Sequence, residues 1–350
     1  MSFPCSTRES VMDCNVQIVR SSRAMTQIVH MKKLIIFITA CIFSLSVFAQ
    51  SAKSIRVGLL NGPTCIPSAY MMENTDYDFE VFADPQALLP KLIKKEVDIG
   101  FLPVNVAAKV YNSGNKSLLC AAVTGLGNLS LITTDKNIRR FSDLKGKTVY
   151  LAGQGATPEY MLRFLLEENN LTWGEGGDLQ LDYSIPTAQI VAQMISGKIT
   201  YAVVPEPFAT IAQMKSKKVY SALDLQKEYK ELTGSTQIYP LSVMVVRAEF
   251  AQKDPQLLEA FLKEYEASVS WTISNPGQAG KLSEKQGLGL ASGVVTNAIP
   301  VSNYVYLPAE KSITLIEELL TIFLNCESSS IGGKLPGKDF YYDGNLKNQS

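Results

Sequence analysis

The sequence feature that most constrains the fold is a phrase that occurs twice. Residues 97–107 read "VDIGFLPVNVA", and residues 199–209, 102 positions later, read "ITYAVVPEPFA". In each copy a short apolar run predicts a strand, a proline ends it, and a helix follows. Gly100 of the first copy matches Ala202 of the second. The match predicts that the chain contains two copies of one structural unit.

Strands and helices alternate around both copies. In the first copy they are predicted, in order, at 55–60, 67–73, 79–83, 86–96, 97–102 and from Val104 onwards. In the second copy they are predicted at 147–152, from Pro158 onwards, at 179–185, 187–198, 199–204 and from Glu206 onwards. Each copy is therefore a β-α-β-α-β-α unit. Elements of this length and order predict parallel sheets with helices on both faces, that is, an α/β fold.

Two apolar, β-rich segments connect the units. They are "LCAAVTGLGNLSLITT" (119–134) and "YPLSVMVVR" (239–247), and long helical periodicity follows the second. We expect both to cross between lobes as a two-strand hinge, with the C-terminal helices completing the first lobe. The predicted organisation is two Rossmann-like lobes with a ligand cleft between them. The expected limits are a leader at 1–49, a first lobe at 53–132 plus 245–345, and a second lobe at 133–244.

The N-terminal region contains a secretory signal. Residues 31–50, "MKKLIIFITACIFSLSVFAQ", combine two lysines, an apolar run and a small-residue cleavage site after Ala49. The segment is too short for a membrane anchor. We expect Met31 to be the true start, and a long n-region is the alternative. Cys41 loosely matches a lipidation site, but the residues after it stay apolar as far as Phe48, which favours soluble export.

Cleavage after Ala49 changes the chemistry that the chain can perform. The leader holds the single histidine, His30, together with five basic and two acidic residues, so the mature net charge is −3. Without histidine, Ser/His/Asp and Cys/His catalysis and histidine metal sites are excluded. We expect no metal, no cofactor and no catalytic residue. The lack of a basic surface argues against nucleic-acid binding.

Three cysteines remain after cleavage, Cys65, Cys120 and Cys326, without CxxC spacing. Cys120 lies in the apolar strand "LLCAAV" and is expected to be a buried thiol. The sequence does not decide whether Cys65 and Cys326 pair.

Several quoted segments carry a resemblance to a known family: "NGPTCIPSAYMME", "KKEVDIGFLPVNVAAKVYN", "FSDLKGKTVYLAGQGATPEYMLRFLLEENNL", "VVPEPFATIAQ", "FLKEYEASVSW" and "GGKLPGKDFYY". From about Ile55 to Tyr342 the chain resembles the solute-binding proteins of ABC transporters. It is most similar to the nitrate/sulfonate/taurine binders and the thiamine-pyrimidine (NMT1/THI5-like) binders, which have a type II periplasmic-binding fold. The resemblance implies a periplasmic or extracytoplasmic monomer with a small solute, a permease and an ATPase as partners. Contact with the membrane is expected only through the permease or a lipid on Cys41.

Ligand contacts are expected where strands end, because ligands of such sheets lie at the carboxyl ends of strands. In the first lobe Gly62, Pro63 and Thr64 form a turn whose N–H groups can face an anionic or polar group. The alternative is that glycine and proline only make the turn.

The matching turn of the second lobe contains Gly155, Ala156 and Thr157. Thr157 precedes Pro158 and is expected to be the N-cap of the next helix. A cap has less hydrogen-bonding capacity left for a ligand, so the backbone is favoured over the hydroxyl as a ligand contact.

Asn105 and Glu206 follow the repeated prolines Pro103 and Pro205, which puts both at helix starts facing the predicted cleft. Glu206 can pair with a ligand amine or amidine, and the alternative is that it complements the helix dipole. None of the mature chain's arginines falls on the cleft turns, which weakly favours an amine-bearing or heteroaromatic solute over a sulfonate.

Five further residues are candidate contacts. Tyr160, Phe208 and Tyr239 can stack on a flat ligand, although aromatic residues in helices and strands more often belong to a core. Thr124 and Asn128 lie in the glycine-rich approach to the hinge and can contact a ligand at the junction of the lobes.

The main hypothesis is a secreted, non-enzymatic binding protein that closes its lobes on a small solute and delivers it to a permease. An enzyme on the same fold, chorismate-dehydratase-like or pyrimidine-forming, is the alternative. Export argues against a cytosolic biosynthetic enzyme, and the missing histidine argues against the yeast-type pyrimidine synthases, which use one. A sensor for a signalling receptor is a third possibility. Neighbouring genes, permease and ATPase or receptor, discriminate between transport and sensing.

Mass spectrometry of the native protein tests the leader prediction. We expect a mature N-terminus near Gln50. A lipid on Cys41 would contradict soluble export, and retention of His30 would contradict the signal peptide itself.

Overall fold

The computed structural model describes residues 54–62, 64–114 and 116–344. The predicted leader, with Met31, Cys41 and His30, lies outside the described residues. Residues from Ser54 onwards form one compact unit.

Strands and helices alternate through the first two thirds of this unit, and helices dominate the last third. The strands are β1 Arg56–Leu60, β2 Asp78–Phe82, β3 Ile99–Pro103, β4 Leu118–Leu126, β5 Leu129–Thr133, β6 Thr148–Leu151, β7 Gln180–Asp182, β8 Tyr201–Pro205, β9 Tyr220–Asp224, β10 Pro240–Arg247 and β11 Tyr304–Pro308.

The α-helices are α1 Ala69–Asn74, α2 Pro85–Ile93, α3 Val104–Asn112, α4 Thr157–Glu168, α5 Thr187–Ile195, α6 Phe208–Lys215, α7 Leu225–Thr233, α8 Ala248–Lys253, α9 Pro255–Ser274, α10 Pro276–Lys285, α11 Ser292–Ala298 and α12 Ile313–Cys326. Short 3₁₀ helices cover Ile66–Ser68, Phe141–Leu144, Ile299–Val301, Ala309–Lys311, Ser328–Ile331 and Lys338–Phe340.

The two predicted units form two sheets with the same internal strand order. The first sheet has the order β11-β4-β10-β3-β1-β2, and the second has β7-β6-β8-β5-β9. In each, the first strand of the repeat lies between the second and the third. Gly100 pairs with Gly58 of β1, and Ala202, its match in the repeat, pairs with Tyr150 of β6. The predicted repeat is confirmed.

Close helix packing explains why the repeat has glycine in one copy and alanine in the other. A Cβ atom on Gly58 would overlap the side chain of Leu88 on α2, and one on Gly100 would lie 2.9 Å from Leu92 of the same helix. Because interiors are close-packed, α2 can lie this near to β1 and β3 only over glycine. In the second lobe, Ala202 is completely buried and accommodated.

The prediction of parallel sheets is wrong in part, because both sheets are mixed. The repeat strands pair in parallel, but β10 runs antiparallel to β3 and β4, and β5 runs antiparallel to β8 and β9. The connecting strands cause the difference. They enter each sheet from the other lobe and therefore run against the repeat strands.

The chain changes sheet twice. It leaves β4 of the first sheet and enters β5 of the second across residues 127–128, and it returns to β10 between 234 and 239. Both changes come a few residues before the predicted lobe limits of 132 and 244, which remain predictions. The first sheet takes strands from both ends of the described chain, and its last strand is β11.

Candidate ligand site between the lobes

The carboxyl ends of the repeat strands lie where the two lobes meet. The turn after β1 and the start of α3 come from the first lobe, and the turn after β6 and the start of α6 come from the second. Contacts between these four segments define the junction.

Asn105 connects the lobes directly. This residue of the first turn of α3 is completely buried. Its Nδ2 donates to the carbonyl of Gly155 at 2.8 Å and to that of Ser330 at 3.3 Å, and its Oδ1 accepts from Thr157 Oγ1 at 3.1 Å. Three residues predicted to contact ligand are thus brought together, and they bond to one another.

Phe208 and Gly62 form a second contact across the junction. A Cβ atom on Gly62 would lie 3.2 Å from Phe208 Cε2, so the ring covers the turn after β1. The φ angle of Gly62 is 103°, in the region that favours glycine. This glycine therefore makes its turn and also gives the aromatic ring room to approach.

Thr64 serves its own turn. Its Oγ1 donates to the carbonyl of Leu60 and accepts from the N–H of Leu60, both at 2.8 Å. The hydroxyl closes the turn after β1, and the role of this turn as a ligand contact remains a prediction. Pro63 lies outside the described residues.

The prediction that Thr157 is an N-cap is wrong. Helix α4 begins at Thr157, its N-cap is Ala156, and Pro158 is its second residue. Thr157 uses its hydroxyl to bond Asn105 instead of capping the helix. The N–H of Gly155 donates to Glu159 Oε2 at 2.5 Å, so a side chain of the same helix holds this backbone donor.

Glu206 lies just before α6, which begins at Phe208 with Pro207 as its N-cap, two residues later than predicted. The side chain is 6% exposed, and its Oε2 accepts from the N–H of Thr210 at 3.1 Å. Its own N–H donates to the carbonyl of Asn128 at 3.2 Å. Burial raises the pKa of Glu206, and the hydrogen bonds from Thr210 offset this only in part. The carboxylate caps the helix with one oxygen.

Three buried polar atoms of the junction have no hydrogen-bond partner in the described part of the chain. They are Asn128 Oδ1, Tyr265 Oη and Tyr304 Oη, on side chains that are 4%, 1% and 5% exposed. Burial raises the pKa of both tyrosines. The charge of Glu206 adds to this for Tyr304, and the Tyr304 hydroxyl adds to it for Tyr265. These four residues, Asn128, Glu206, Tyr265 and Tyr304, are called the junction cluster below.

The hydroxyl groups of Thr124 and Ser302, next to the junction cluster, contact other residues. Thr124 Oγ1 lies 3.1 Å from Ser242 Oγ, and Ser302 Oγ donates to the carbonyl of Ala298 at 2.8 Å. Thr124 and Ser302 lie near enough to Tyr265 and Tyr304 to offset part of the rise in the pKa of each tyrosine, but in the described part of the chain neither pair has the geometry of a full hydrogen bond. Buried polar groups nearly always have partners, so buried polar atoms without one mark a place to look for function.

Two predicted aromatic contacts belong to packed regions. Tyr160 packs on Phe323 of α12 with ring centroids 5.6 Å apart. Tyr239 is completely buried beside Gly127 and donates its hydroxyl to Gln226 Oε1 at 2.6 Å. Their roles as ligand contacts remain predictions.

A comparison with models of protein families shows to which family this chain belongs. The family model for menaquinone biosynthesis matches residues 55–298. The chain belongs to that family. No curated protein sequence matches it.

Solved structures share the fold of this menaquinone-biosynthesis family member. An ABC transporter from Parabacteroides distasonis is 26% identical with a TM-score of 0.69, over 83% of this chain and 99% of that chain. The periplasmic aliphatic sulphonate-binding protein of Escherichia coli is 16% identical with a TM-score of 0.65, over 84% and 93%. The periplasmic nitrate-binding protein of Synechocystis is 12% identical with a TM-score of 0.63, over 80% and 84%. The predicted two-lobed, type II periplasmic-binding fold is confirmed.

The described residues of this family member contain no group of three or more His, Cys, Asp or Glu side chains that could hold a metal ion. No helix among them is long and apolar enough to cross a membrane. Cys65, Cys120 and Cys326 are free, and Cys120 is buried as expected. Burial raises the pKa of Cys65 to about 12, so its thiol stays protonated at neutral pH.

The sequence did not indicate Tyr265 or Tyr304. Tyr265 follows the helical periodicity of α9, and Tyr304 is the first residue of the short strand β11. Tyr304 reaches the junction because it pairs with Gly125 of β4, a contact between residues far apart in the chain. Nothing in the sequence around either residue predicts such a pairing.

Proposed function

We propose that this protein is the extracytoplasmic solute-binding component of an ABC importer. One observation carries the proposal: Asn105 joins the lobes at a junction where, among the described residues, buried polar atoms of Asn128, Tyr265 and Tyr304 have no full hydrogen bond. A junction of this kind holds a small polar solute by supplying it with the missing hydrogen bonds. The solute belongs to the thiamine-pyrimidine-like or the sulfonate, taurine and nitrate-like classes.

Closure of the lobes couples binding to delivery. Contacts such as Asn105 with Gly155 and Phe208 with Gly62 exist only when the lobes are together. A solute that touches both lobes stabilises this closed form because it has its full set of contacts only there. A permease with its ATPase then recognises the closed protein.

Two comparisons support this reading. The Parabacteroides structure, described as an ABC transporter, is similar over nearly all of its own length. The sulphonate-binding and nitrate-binding proteins, both periplasmic, share the two-lobed fold. Together with the predicted signal sequence, they favour a periplasmic protein whose membrane contact is the permease.

Small-angle scattering and thermal melting test the proposal. Screened solutes are thiamine-pyrimidine analogues, taurine, alkanesulfonates and nitrate. We expect the correct solute to reduce the radius of gyration and to raise the melting temperature progressively with free ligand, as linkage requires. A solute that is chemically converted would contradict the binding role.

An enzyme is the second candidate function, favoured by the match to the menaquinone biosynthesis family over residues 55–298. Glu206, buried near the Tyr304 hydroxyl, has the raised pKa that suits a proton-transfer group. The reaction to test is chorismate dehydration, in which one water molecule leaves the substrate. Chromatography of chorismate incubated with the purified protein decides it: a dehydrated product that requires Glu206 supports the enzyme, and unchanged chorismate supports the importer component.

A further inference from the structure

The junction cluster offers hydrogen-bond acceptors and one acidic group. Asn128 Oδ1 only accepts, the two tyrosine oxygens can accept, and Glu206 brings a carboxyl group. Among the described residues, no basic side chain lies close enough to Glu206 to lower its pKa. A buried carboxylate without a cation is unfavourable, and a bound cation removes that disadvantage.

The arginines of the mature chain are engaged elsewhere. Arg56 and Arg247 both pair with Asp98, which lies at the opposite end of β3 from the junction. Arg163 lies between the acidic groups of Glu159 and Glu327. The remaining two, Arg139 and Arg140, precede the 3₁₀ helix that contains Asp143, which accepts from the N–H groups of both.

We propose that Asn128, Glu206, Tyr265 and Tyr304 form a subsite for a cationic nitrogen of the solute, a protonated amine or an amidinium. The proposal rests on the proposed binding function and narrows its solute class. Such a group donates several hydrogen bonds at once. It would also place a positive charge next to the Glu206 carboxylate. An anion without an amine would instead meet a carboxyl group and acceptor oxygens.

The walls of the subsite suit a cation as well. Tyr265 packs against Phe101 with ring centroids 5.3 Å apart, which fixes its ring in the first lobe. Phe208 follows Glu206 by two residues and covers Gly62 from the second lobe. Aromatic rings attract cations most strongly where water is excluded. Closure of the lobes would therefore enclose the nitrogen between groups from both sides.

Matched solutes test the charge directly. Taurine and isethionate differ only in an amine and a hydroxyl, as do the aminomethyl and hydroxymethyl forms of the thiamine pyrimidine, and benzamidine adds an amidinium. Refolded, ligand-free protein is titrated with each by calorimetry and melted with about 10 mM of each, where linkage gives a visible shift for Kd values near 1 mM or below. We expect at least one amine member to bind about tenfold or more tightly than its hydroxyl partner, the scale of a hydrogen bond to a charged group. Glu206→Gln should remove that preference while keeping the acceptor for Thr210.

Two tyrosine variants separate binding from folding. Tyr265→Phe and Tyr304→Phe remove hydroxyls that have no partner, so the ligand-free melting temperature should stay the same or rise by about 2 °C. Affinity for the amine probe should fall several-fold in both. Tyr239→Phe is the stability control, because it loses the bond to Gln226 and should melt at a lower temperature.

Three results would overturn the cation subsite: no shift with any amine or amidinium probe, equal binding within each matched pair, or a lower ligand-free melting temperature in both tyrosine variants. If nitrate or an alkanesulfonate closes the protein while no amine does, the importer function stands and the subsite is wrong. Conversion of a probe into a product would contradict the binding function itself. Failure of the subsite and failure of the binding function therefore give different results.

Discussion

Replacing Asp98 by asparagine should lower the free energy of unfolding by about 3–5 kcal/mol, the usual result of removing one partner from a buried ion pair. Asp98 is 1% exposed. Arg56 donates to both of its carboxylate oxygens at 2.9 Å, and Arg247 Nη2 donates to Oδ1 at 2.5 Å. The variant would leave the largely buried Arg247 with only the exposed Glu249 as a charge partner. Urea denaturation of both proteins measures the difference.

The loss should depend on pH in a defined direction. Burial alone would raise the pKa of Asp98, but the hydrogen bonds from Arg56 and Arg247 outweigh it and lower that pKa. A lowered folded-state pKa contributes stability above the unfolded value of about 3.9, and this stability is lost as the pH falls through the folded value. The difference between wild type and Asp98→Asn should therefore be full at neutral pH and shrink in acid below about pH 4.

Glu249→Gln is the matched control. The Glu249 carboxylate also approaches Arg247, at 3.4 Å, and pairs with Lys95 at 2.5 Å, but its side chain is 60% exposed. Exposed ion pairs contribute about 0–1 kcal/mol, so this variant should unfold almost like wild type. Similar losses in the two variants would show that burial of Asp98 is not what makes its pairs strong.

Asn105→Ala should open the protein and weaken solute binding. The substitution leaves Gly155, Thr157 and Ser330 without a hydrogen-bond partner at this side chain. At about 1–3 kcal/mol for each buried group left unsatisfied, we expect the closed form to lose about 2–4 kcal/mol in total, because opening lets water reach these groups. Solute affinity should fall roughly 30- to 700-fold. At a solute concentration that closes the wild type, small-angle scattering should give a larger radius of gyration for the variant.

Asn112→Ala controls for the loss of buried amide bonds in the same helix. Asn112 Nδ2 donates to the carbonyls of Ile331 and Lys334 at 2.7 and 2.6 Å, in the segment that follows α12, and not to the second lobe. This variant should lose stability while keeping the solute affinity and the scattering profile of wild type. Equal affinities in Asn105→Ala and wild type would show that the Asn105 bonds do not control closure.

The internal repeat made much of the fold predictable. Apolar runs that end in proline are local signals, and they located β3 and β8 together with the helix that begins at Val104. The order of strands and helices along the chain in each unit was also predicted from the repeat, whereas the order of strands within each sheet was not. The direction of β5 and β10 was not predicted either, because it depends on the lobe from which each strand arrives.

Only those residues of the candidate site that belong to the two repeat units could be predicted. Asn105 and Glu206 follow repeated prolines, so their positions at the ends of strands could be read from spacing. Whether Thr157 caps a helix or bonds Asn105 depends on the other lobe. The prediction from sequence, that Thr157 is an N-cap, was therefore wrong.

Periodicity and spacing were enough to predict two α/β units, the order of strands and helices along each unit, and the neighbourhood in which a ligand would lie, since these depend on residues close together in the chain. Only the folded chain shows that Tyr304, which comes after the second unit, brings its hydroxyl near Glu206 and that Tyr265 lies near Tyr304. Burial and hydrogen-bond satisfaction are properties of neighbours in space. They could not be known until the chain returned to the first lobe and brought α9 and β11 to the junction.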